Sequence, residues 1–345
     1  MDEPTRRLPA LEPSKNACHS PHVVLLGAGA SLAAIPEGDP NGRHVPVMSN
    51  FVDVIGLGPV LDDLGVPWSG RNFEEVFSEL LDTKGTEERV REIEGIIYDY
   101  FANLRLPERV TLYDELILSL RDKDLIATFN WDPFLLEAYR RNSGVRRLPR
   151  IIFLHGNVSV GACVTHRCKG PVGTFCSMCG APLSPVRLLY PVTQKNYQDS
   201  FIAAEWAEFS RFLEHAYLFT IFGYGAPDAD VEAQRIMREV WDSNRTRELA
   251  QISIIDIRPE DELRVTWRPF FVGNHYSVSS SIDYSQLFTH PRRSCDAFAM
   301  ASLQQRPCHD NPLPRVGSLH ELHDFILPLV EEEEDQEARG TPFRC

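Results

Sequence analysis

The feature of this sequence that most constrains its fold is a short apolar run that ends in two closely spaced glycines. Residues 22–31 read His-Val-Val-Leu-Leu-Gly-Ala-Gly-Ala-Ser, so the apolar run stops at Gly27 and Gly29 follows. A buried parallel strand delivers the chain to a helix start in this way, and the glycines let backbone N–H groups approach a phosphate. The third glycine of the common dinucleotide fingerprint is missing, because Ser31 and Leu32 continue where it is expected. The pattern alone is equally typical of an ordinary tight turn.

Further short apolar runs alternate with segments of helical periodicity. Strands are predicted at 124–128, 150–154, 216–222 and 252–257, and helices at 72–120 (three of them), 134–141, 198–215 and 230–241. Short, continuously apolar strands that alternate with helices predict an α/β fold, with a parallel sheet covered by helices on both faces. Polar signatures follow the strands at their C-terminal ends, which is where such sheets bind ligands.

The remaining segments are less regular. Residues 1–20 are polar and lack periodicity, which predicts a disordered extension, and residues 33–49 are rich in Pro and Gly, which predicts a long loop that covers a ligand or carries its recognition groups. Residues 277–317 show little periodicity. A short helix is predicted at 319–329, followed by an acidic, disordered and solvated tail at 331–345.

Composition excludes several classes of partner. The 345 residues carry a net charge of −14, which argues against direct binding of a nucleic-acid backbone. No apolar run approaches the roughly 20 residues that span a membrane, and the N-terminus lacks the apolar core of a secretory signal. The eight cysteines are not spread like a disulfide framework. We therefore expect a cytoplasmic protein in a reducing compartment, with no membrane partner.

Four of the cysteines form two pairs with metal-ligand spacing. Cys163 and Cys168 are separated by four residues, and Cys176 and Cys179 by two, as in a zinc ribbon. The connection between the pairs is shorter than usual, and His166 competes with Cys168 as a ligand. Four protein ligands leave no open position, so the predicted role of Zn²⁺ is structural. The alternative is a set of free cytosolic thiols.

The order of these signatures resembles the sirtuin family over roughly residues 22–260. The shared elements are Gly-Ala-Gly-x-Ser at 27–31, Thr-x-Asn-x-Asp at 128–132, the His-Gly pair at 155–156, the two cysteine pairs, and a polar strand end at Asp256. Each motif is modest alone, but their common order makes the resemblance specific.

The resemblance implies a Rossmann-like NAD-binding domain over 21–160 and 185–330, with a helical module at about 50–120 and a zinc-binding module at 161–184. It implies cleavage of the bond between nicotinamide and ribose, with NAD as the substrate. The implied catalytic residues are Asn130 and His155. The implied cofactor-binding residues are Gly27, Ala28, Gly29, Ala30, Ser31, Thr128, Asp132, Gly223 and Asp256, and the implied zinc ligands are Cys163, Cys168, Cys176 and Cys179.

The chain departs from the deacylases of that family at three places. A longer loop replaces their Gly-Ile-Pro-Asp-Phe-Arg segment, residues 188–195 replace the Phe-Gly-Glu strand end that docks an acyl-peptide, and residues 223–228 replace a Gly-Thr-Ser turn. In these respects the chain looks like the divergent sirtuin-like NAD hydrolases of bacterial antiphage defence, which often respond to a partner protein. We therefore expect an NAD hydrolase with a regulatory partner or a homo-oligomeric form. The alternatives are an NAD-dependent protein-lysine deacylase and a non-catalytic nucleotide sensor.

The chemistry of the two catalytic candidates fits this expectation. Nicotinamide in NAD is a cationic leaving group, and its departure passes through an oxocarbenium-like transition state. Asn130 can donate and accept hydrogen bonds, which suits orienting a ribose hydroxyl or a water, and His155 suits general-base work. The resemblance also implies a contact between Asp132 and the nicotinamide carboxamide.

Several of these side chains have simpler explanations. Asp132 precedes a proline and is a good helix cap, and Ser31 could also serve only as a cap. Asp256 could serve only a strand-end turn. Asp228 and Asp230 are predicted to be helix caps.

Overall fold

A central parallel sheet organises the molecule. The computed structural model describes residues 19–166, 168–191, 195–227, 230–244 and 248–340. These residues form the strands β1 His22–Leu26, β2 Leu125–Thr128, β3 Arg150–Phe153, β4 Val160–Ala162, β5 Lys169–Pro171, β6 Ser184–Pro185, β7 Leu218–Phe222, β8 Gln251–Ile255 and β9 Tyr276–Ser279. Six of them make one sheet in the order β3-β2-β1-β7-β8-β9, and every neighbouring pair is parallel. The predicted parallel α/β sheet is confirmed.

The strand order places a reversal in the middle of the sheet. The chain builds outward from β1 through β2 to β3, and then returns to the other side of β1 with β7, β8 and β9. At such a switch point the connections leave the sheet in opposite directions, and a crevice opens at the carboxyl ends of the strands. The crevice lies where β1 and β7 end, directly beside the glycine turn.

Helices cover the sheet on both faces. They are α1 Ala28–Ala34, α2 Phe51–Ile55, α3 Gly58–Asp63, α4 Phe73–Asp82, α5 Glu87–Ala102, α6 Leu112–Leu118, α7 Phe134–Arg141, α8 Ser200–Leu213, α9 Val231–Asp242, α10 Glu260–Trp267, α11 Gln286–Thr289, α12 Ser294–Leu303 and α13 Leu319–Arg339. Alternate residues of β1 enter two separate cores: Val24 and Leu26 join one, and Val23 and Leu25 join the other. Each face of the sheet therefore has its own apolar layer.

The segment expected to be a helical module, at about 50–120, contains α2 to α6. Its buried residues, such as Phe73 and Ile97, belong to the same core cluster as Val24 of β1. These helices therefore pack directly on the sheet. Helix α6 begins with a reciprocal capping box between Thr111 and Asp114.

The last helix differs from the expected short helix and acidic tail. Helix α13 continues through the acidic run to Arg339, and Glu333 within that run is buried. Its carboxylate accepts two hydrogen bonds from the buried guanidinium of Arg292, at 2.6 and 2.7 Å. A buried partner thus gives one of these glutamates a structural role. The rest of the tail, 341–345, and residues 1–18 of the expected N-terminal extension lie outside the described residues.

The segment 277–317, which showed no clear pattern, is well integrated into the fold. It supplies most of β9, together with α11 and α12. Strand β9 is an edge strand with the sequence Tyr-Ser-Val-Ser, and each of its residues is only half-buried. That composition gives no continuous apolar run, so the periodicity on which the other predictions depend is absent.

The cysteine-rich segment forms a small sheet of its own. Strands β5, β4 and β6 lie in that order and pair antiparallel. They correspond to the module expected at 161–184. In the described part of the chain, none of the helices combines the length and the apolar character needed to cross a bilayer.

Candidate functional site

A cavity of about 760 Å³ lies at the carboxyl edge of the large sheet, at the switch point. Its volume falls within the range of small-molecule sites, about 300–1,000 Å³. Eight of the predicted site residues line it: Gly27, Ala28, Gly29, Asn130, Asp132, His155, Gly223 and Asp256. The other three predicted cofactor contacts, Ala30, Ser31 and Thr128, are buried and do not line the cavity.

The glycine turn is required first by backbone packing. A Cβ at Gly27 would lie 2.5 Å from the carbonyl oxygen of Gly223, and one at Gly29 would lie 2.8 Å from the Cα of Gly223. The turns after β1 and β7 thus pack backbone against backbone. The N–H of Gly29 already donates to the Gly223 carbonyl at 3.0 Å, so this amide does not point a free donor at a phosphate.

Asn130 is held by a network that fixes the direction of its amide. Its Nδ2 donates to the Gly27 carbonyl and to Ser31 Oγ, both at 2.8 Å. An amide nitrogen has two protons, so these two bonds use both of them. The side chain therefore offers only Oδ1, an acceptor, to the cavity. The sequence predicted that the Asn130 amide both donates and accepts hydrogen bonds to a ligand. In the fold, both of its donor protons are used within the protein.

Ser31 is the centre of that network and does not cap α1, whose N-cap position is Gly27. Its hydroxyl donates to Asp132 Oδ2 at 2.6 Å and lies 2.7 Å from the Tyr113 hydroxyl. Asp132 Oδ1 accepts from the backbone N–H of Phe134 at 3.2 Å, but the N-cap of α7 is Pro133, so Asp132 lies one residue before the cap position that was predicted for it. Burial raises the pKa of Asp132 to about 6. Asp132 and Ser31 together hold Asn130 in place.

His155 comes to the same cavity from the end of β3. The N–H of Leu189 donates to its carbonyl at 2.9 Å, and its ring packs on Phe129 with centroids 4.5 Å apart. The following Gly156 has φ +78°, and a Cβ there would lie 2.2 Å from the Arg187 carbonyl, which explains the glycine of the His-Gly pair. Burial lowers the pKa of His155 to about 4, so the imidazole is neutral at pH 7.

Three further side chains of the cavity were missed by sequence reasoning. Asp230 holds the N-cap position of α9 but does not cap it. Its Oδ1 instead accepts from Lys195 Nζ at 2.6 Å, and its Oδ2 accepts from the Tyr224 hydroxyl at 2.9 Å. The only sequence signal was the Gly-Tyr-Gly turn that contains Tyr224. The other predicted cap, Asp228, lies outside the described residues.

Asp256 lines the cavity at the end of β8, where the resemblance implies a ribose contact. Its carboxylate also accepts hydrogen bonds from the backbone and the guanidinium of Arg258, at 3.0 to 3.2 Å. This arrangement is the strand-end turn predicted from the sequence as the simpler role of Asp256. Arg258 holds the carboxylate in one orientation at the cavity wall.

A cluster that could bind a metal ion lies in the small sheet. The ligand atoms of Cys163, His166, Cys176 and Cys179 all lie within 4.8 Å of one another. Cys163 Sγ is 3.6 Å from His166 Nδ1 and 3.8 Å from Cys179 Sγ, and Cys176 Sγ is 3.8 Å from the same His166 nitrogen. A tetrahedral zinc ion with ordinary bond lengths separates its ligand atoms by about 3.6–3.8 Å. Three of the six ligand-atom separations therefore match a tetrahedral zinc site, and the others lie within 4.8 Å.

The convergent set contains His166 in the place expected for Cys168. Cys168 Sγ faces the backbone carbonyl of His166 at 3.8 Å. All four cysteines of this segment carry free thiols, whereas Cys308 is disulfide-bonded. Backbone N–H groups, foremost that of Met178, lower the pKa of Cys176 to about 6, which favours the thiolate that a metal requires.

No protein-family model and no curated protein matches this chain. Its function is therefore inferred from the residues of the cavity and from the resemblance of its motifs.

Proposed function

We propose that this protein is an NAD hydrolase that cleaves the nicotinamide–ribose bond to give nicotinamide and ADP-ribose. In this reaction the bond between the nicotinamide nitrogen and the ribose C1′ breaks, and the nitrogen keeps the electron pair. Water adds at C1′ and releases a proton. The observation that carries the proposal is that Asn130 and His155, from two different strands, line one cavity beside the glycine turn at Gly27.

The polar groups of the cavity match a sugar with free hydroxyls. Asn130 offers only an acceptor, and a neutral His155 has one acceptor nitrogen. Acceptors of this kind hold hydroxyl groups and water. The carboxylates of Asp230 and Asp256 line the same wall, where negative charge stabilises an oxocarbenium-like centre.

The fold supports a dinucleotide ligand. The six-stranded order β3-β2-β1-β7-β8-β9 is 3-2-1-4-5-6 in chain order, which is typical of doubly wound dinucleotide-binding sheets. This support is an analogy at the level of the fold, whereas the reaction is argued from the cavity. We further propose that Zn²⁺ occupies the Cys163, His166, Cys176 and Cys179 cluster, where four protein ligands give it a structural role.

The test is release of nicotinamide from NAD by the purified full chain, measured with and without an acyl-lysine peptide. We expect release without peptide and its loss in His155→Ala. The matched control is His320→Ala, because His320 is an exposed histidine of α13. Release that requires the peptide would establish the deacylase alternative, and NAD binding without cleavage would favour the nucleotide sensor.

The resemblance extends the proposal to regulation. Sirtuin-like NAD hydrolases of antiphage defence often act when a partner protein senses infection, and we propose that a partner protein or self-association likewise activates this chain. Assays of the full chain at increasing concentration test self-association, because activity per protomer rises with concentration if assembly is required.

A further inference from the structure

A buried group of charged side chains adjoins the candidate catalytic histidine. Asp230 is buried in the cavity wall, and Lys195 Nζ and the Tyr224 hydroxyl hold its two oxygens at 2.6 and 2.9 Å. The Lys195 side chain is itself only 4% exposed. Burying an ion pair costs desolvation free energy, so packing alone does not explain why the wall of this cavity contains one.

The histidine ring has one nitrogen directed toward this group. His155 Nε2 is buried and has no hydrogen-bond partner among the described residues. Asp230 Oδ1, an acceptor, lies 4.0 Å from this nitrogen. A shift of about 1 Å would bring these atoms to hydrogen-bonding distance, and catalytic hydrogen bonds are often long before a ligand binds.

We propose that Asp230 is the positioning residue of His155: it accepts the N–H of Nε2 and thereby leaves Nδ1 as the proton acceptor. The inference deepens the proposed hydrolase function and rests on it for its catalytic meaning. In a neutral imidazole one nitrogen donates and the other accepts, so fixing the proton on Nε2 determines which atom receives a proton from water or a ribose hydroxyl.

The neighbours of Asp230 suit it to this role because they favour its ionised form. Burial alone raises the pKa of its carboxyl, but His155, Lys195 and Tyr224 together outweigh burial and lower the pKa below its usual value. The carboxylate therefore stays ionised. An imidazolium formed when His155 takes a proton has a negative charge 4.0 Å away to stabilise it.

The protonated nitrogen of His155 can be read by ¹⁵N NMR of the ring nitrogens in the full chain at pH 7. We expect the Nε2–H tautomer in the wild type, and a shift toward Nδ1–H or a mixture in both Asp230→Ala and the isosteric Asp230→Asn. Asp283→Ala is the matched control, because Asp283 is a carboxylate of the same cavity that pairs with Arg315. His22, whose two ring nitrogens lie 2.8 Å from Ser294 and Thr220 hydroxyls, reports in the same spectrum that the variants are folded.

Two results would overturn the inference: a wild-type His155 protonated on Nδ1, or a tautomer that is the same in Asp230→Ala as in the wild type. In the NAD assay, Asp230→Asn should lower kcat by about 10- to 100-fold with little change in KM. If the wild type shows no hydrolysis at any chain concentration, the proposed hydrolysis of NAD by the chain alone fails. The tautomer measurement then still decides whether Asp230 orients the ring.

Discussion

The buried pair of Arg292 and Glu333 should be a large local contributor to the stability of this chain. Arg292 donates through two nitrogens to the Glu333 carboxylate, and through Nη1 to the Leu120 carbonyl at 2.9 Å. The pair joins α13 to the connection between α11 and α12, and the bond to Leu120 ties it to the segment that precedes β2. Both side chains are at most 1% exposed, so water cannot replace a lost partner.

Removing one partner leaves the other charge buried and uncompensated. Breaking a buried ion pair in this way costs about 3–5 kcal/mol, a large fraction of the 5–15 kcal/mol that separates folded from unfolded proteins. We therefore expect Glu333→Ala to lower the free energy of unfolding by about 3–5 kcal/mol. The matched control is Glu331→Ala in the same acidic run, which is exposed and should change it by less than about 0.5 kcal/mol.

Urea denaturation followed by circular dichroism measures both variants. The double variant Arg292→Met with Glu333→Leu should recover much of the loss, because apolar residues of similar volume often replace a buried ion pair at little cost. Equal midpoints for Glu333→Ala and Glu331→Ala would refute the assignment and return the acidic run to the solvated tail expected from sequence.

Three further perturbations test the packing, the metal cluster and the buried titratable groups. Gly27→Ala should destabilise the fold by about 1–3 kcal/mol in urea, because its Cβ meets backbone at 2.5 Å, whereas Gly95→Ala on α5 has open space and should stabilise it by about 1 kcal/mol. Equal effects would refute the packing argument. Chelation of bound metal should lower the thermal midpoint of the wild type and release about one zinc per chain by elemental analysis; a metal-free preparation with the same midpoint would contradict a structural role. Burial lowers the pKa of His155 to about 4 and of His22 to about 3, so the unfolded chain binds more protons and stability should fall as pH drops from about 6.5 toward 4. The raised pKa of Asp132 opposes this trend, and a urea midpoint that rises on acidification would show that it dominates.

The sequence by itself determined the architecture. Continuous apolar runs such as 22–26 and 218–222 are strands because a sheet covered on both faces buries every residue along them. The amphipathic stripe of α4 likewise identified a helix. The order of the glycine turn, Asn130 and His155 was enough to indicate one cavity, because parallel strands end at one edge of the sheet.

Periodicity could not identify the elements whose burial comes from partners far along the chain. Strand β9 has four half-buried residues at an edge of the sheet. In the sequence Glu333 cannot be distinguished from its acidic neighbours, because its burial depends on Arg292, 41 residues earlier in the chain. The same limit applied to His166, since the two cysteine pairs left two candidate sets of ligands and only the folded loop shows which atoms converge.

The chemical character of the cavity was also decided by tertiary structure. Sequence identified Asn130 as a polar side chain at a strand end, but the bonds to Gly27 and Ser31 made it an acceptor only. The sequence predicted Asp230 to be a helix cap, but the fold places it beside His155 and Lys195. A strand-end motif determines where a side chain is displayed, whereas its protonation and hydrogen-bonding role depend on neighbours brought together from distant parts of the chain.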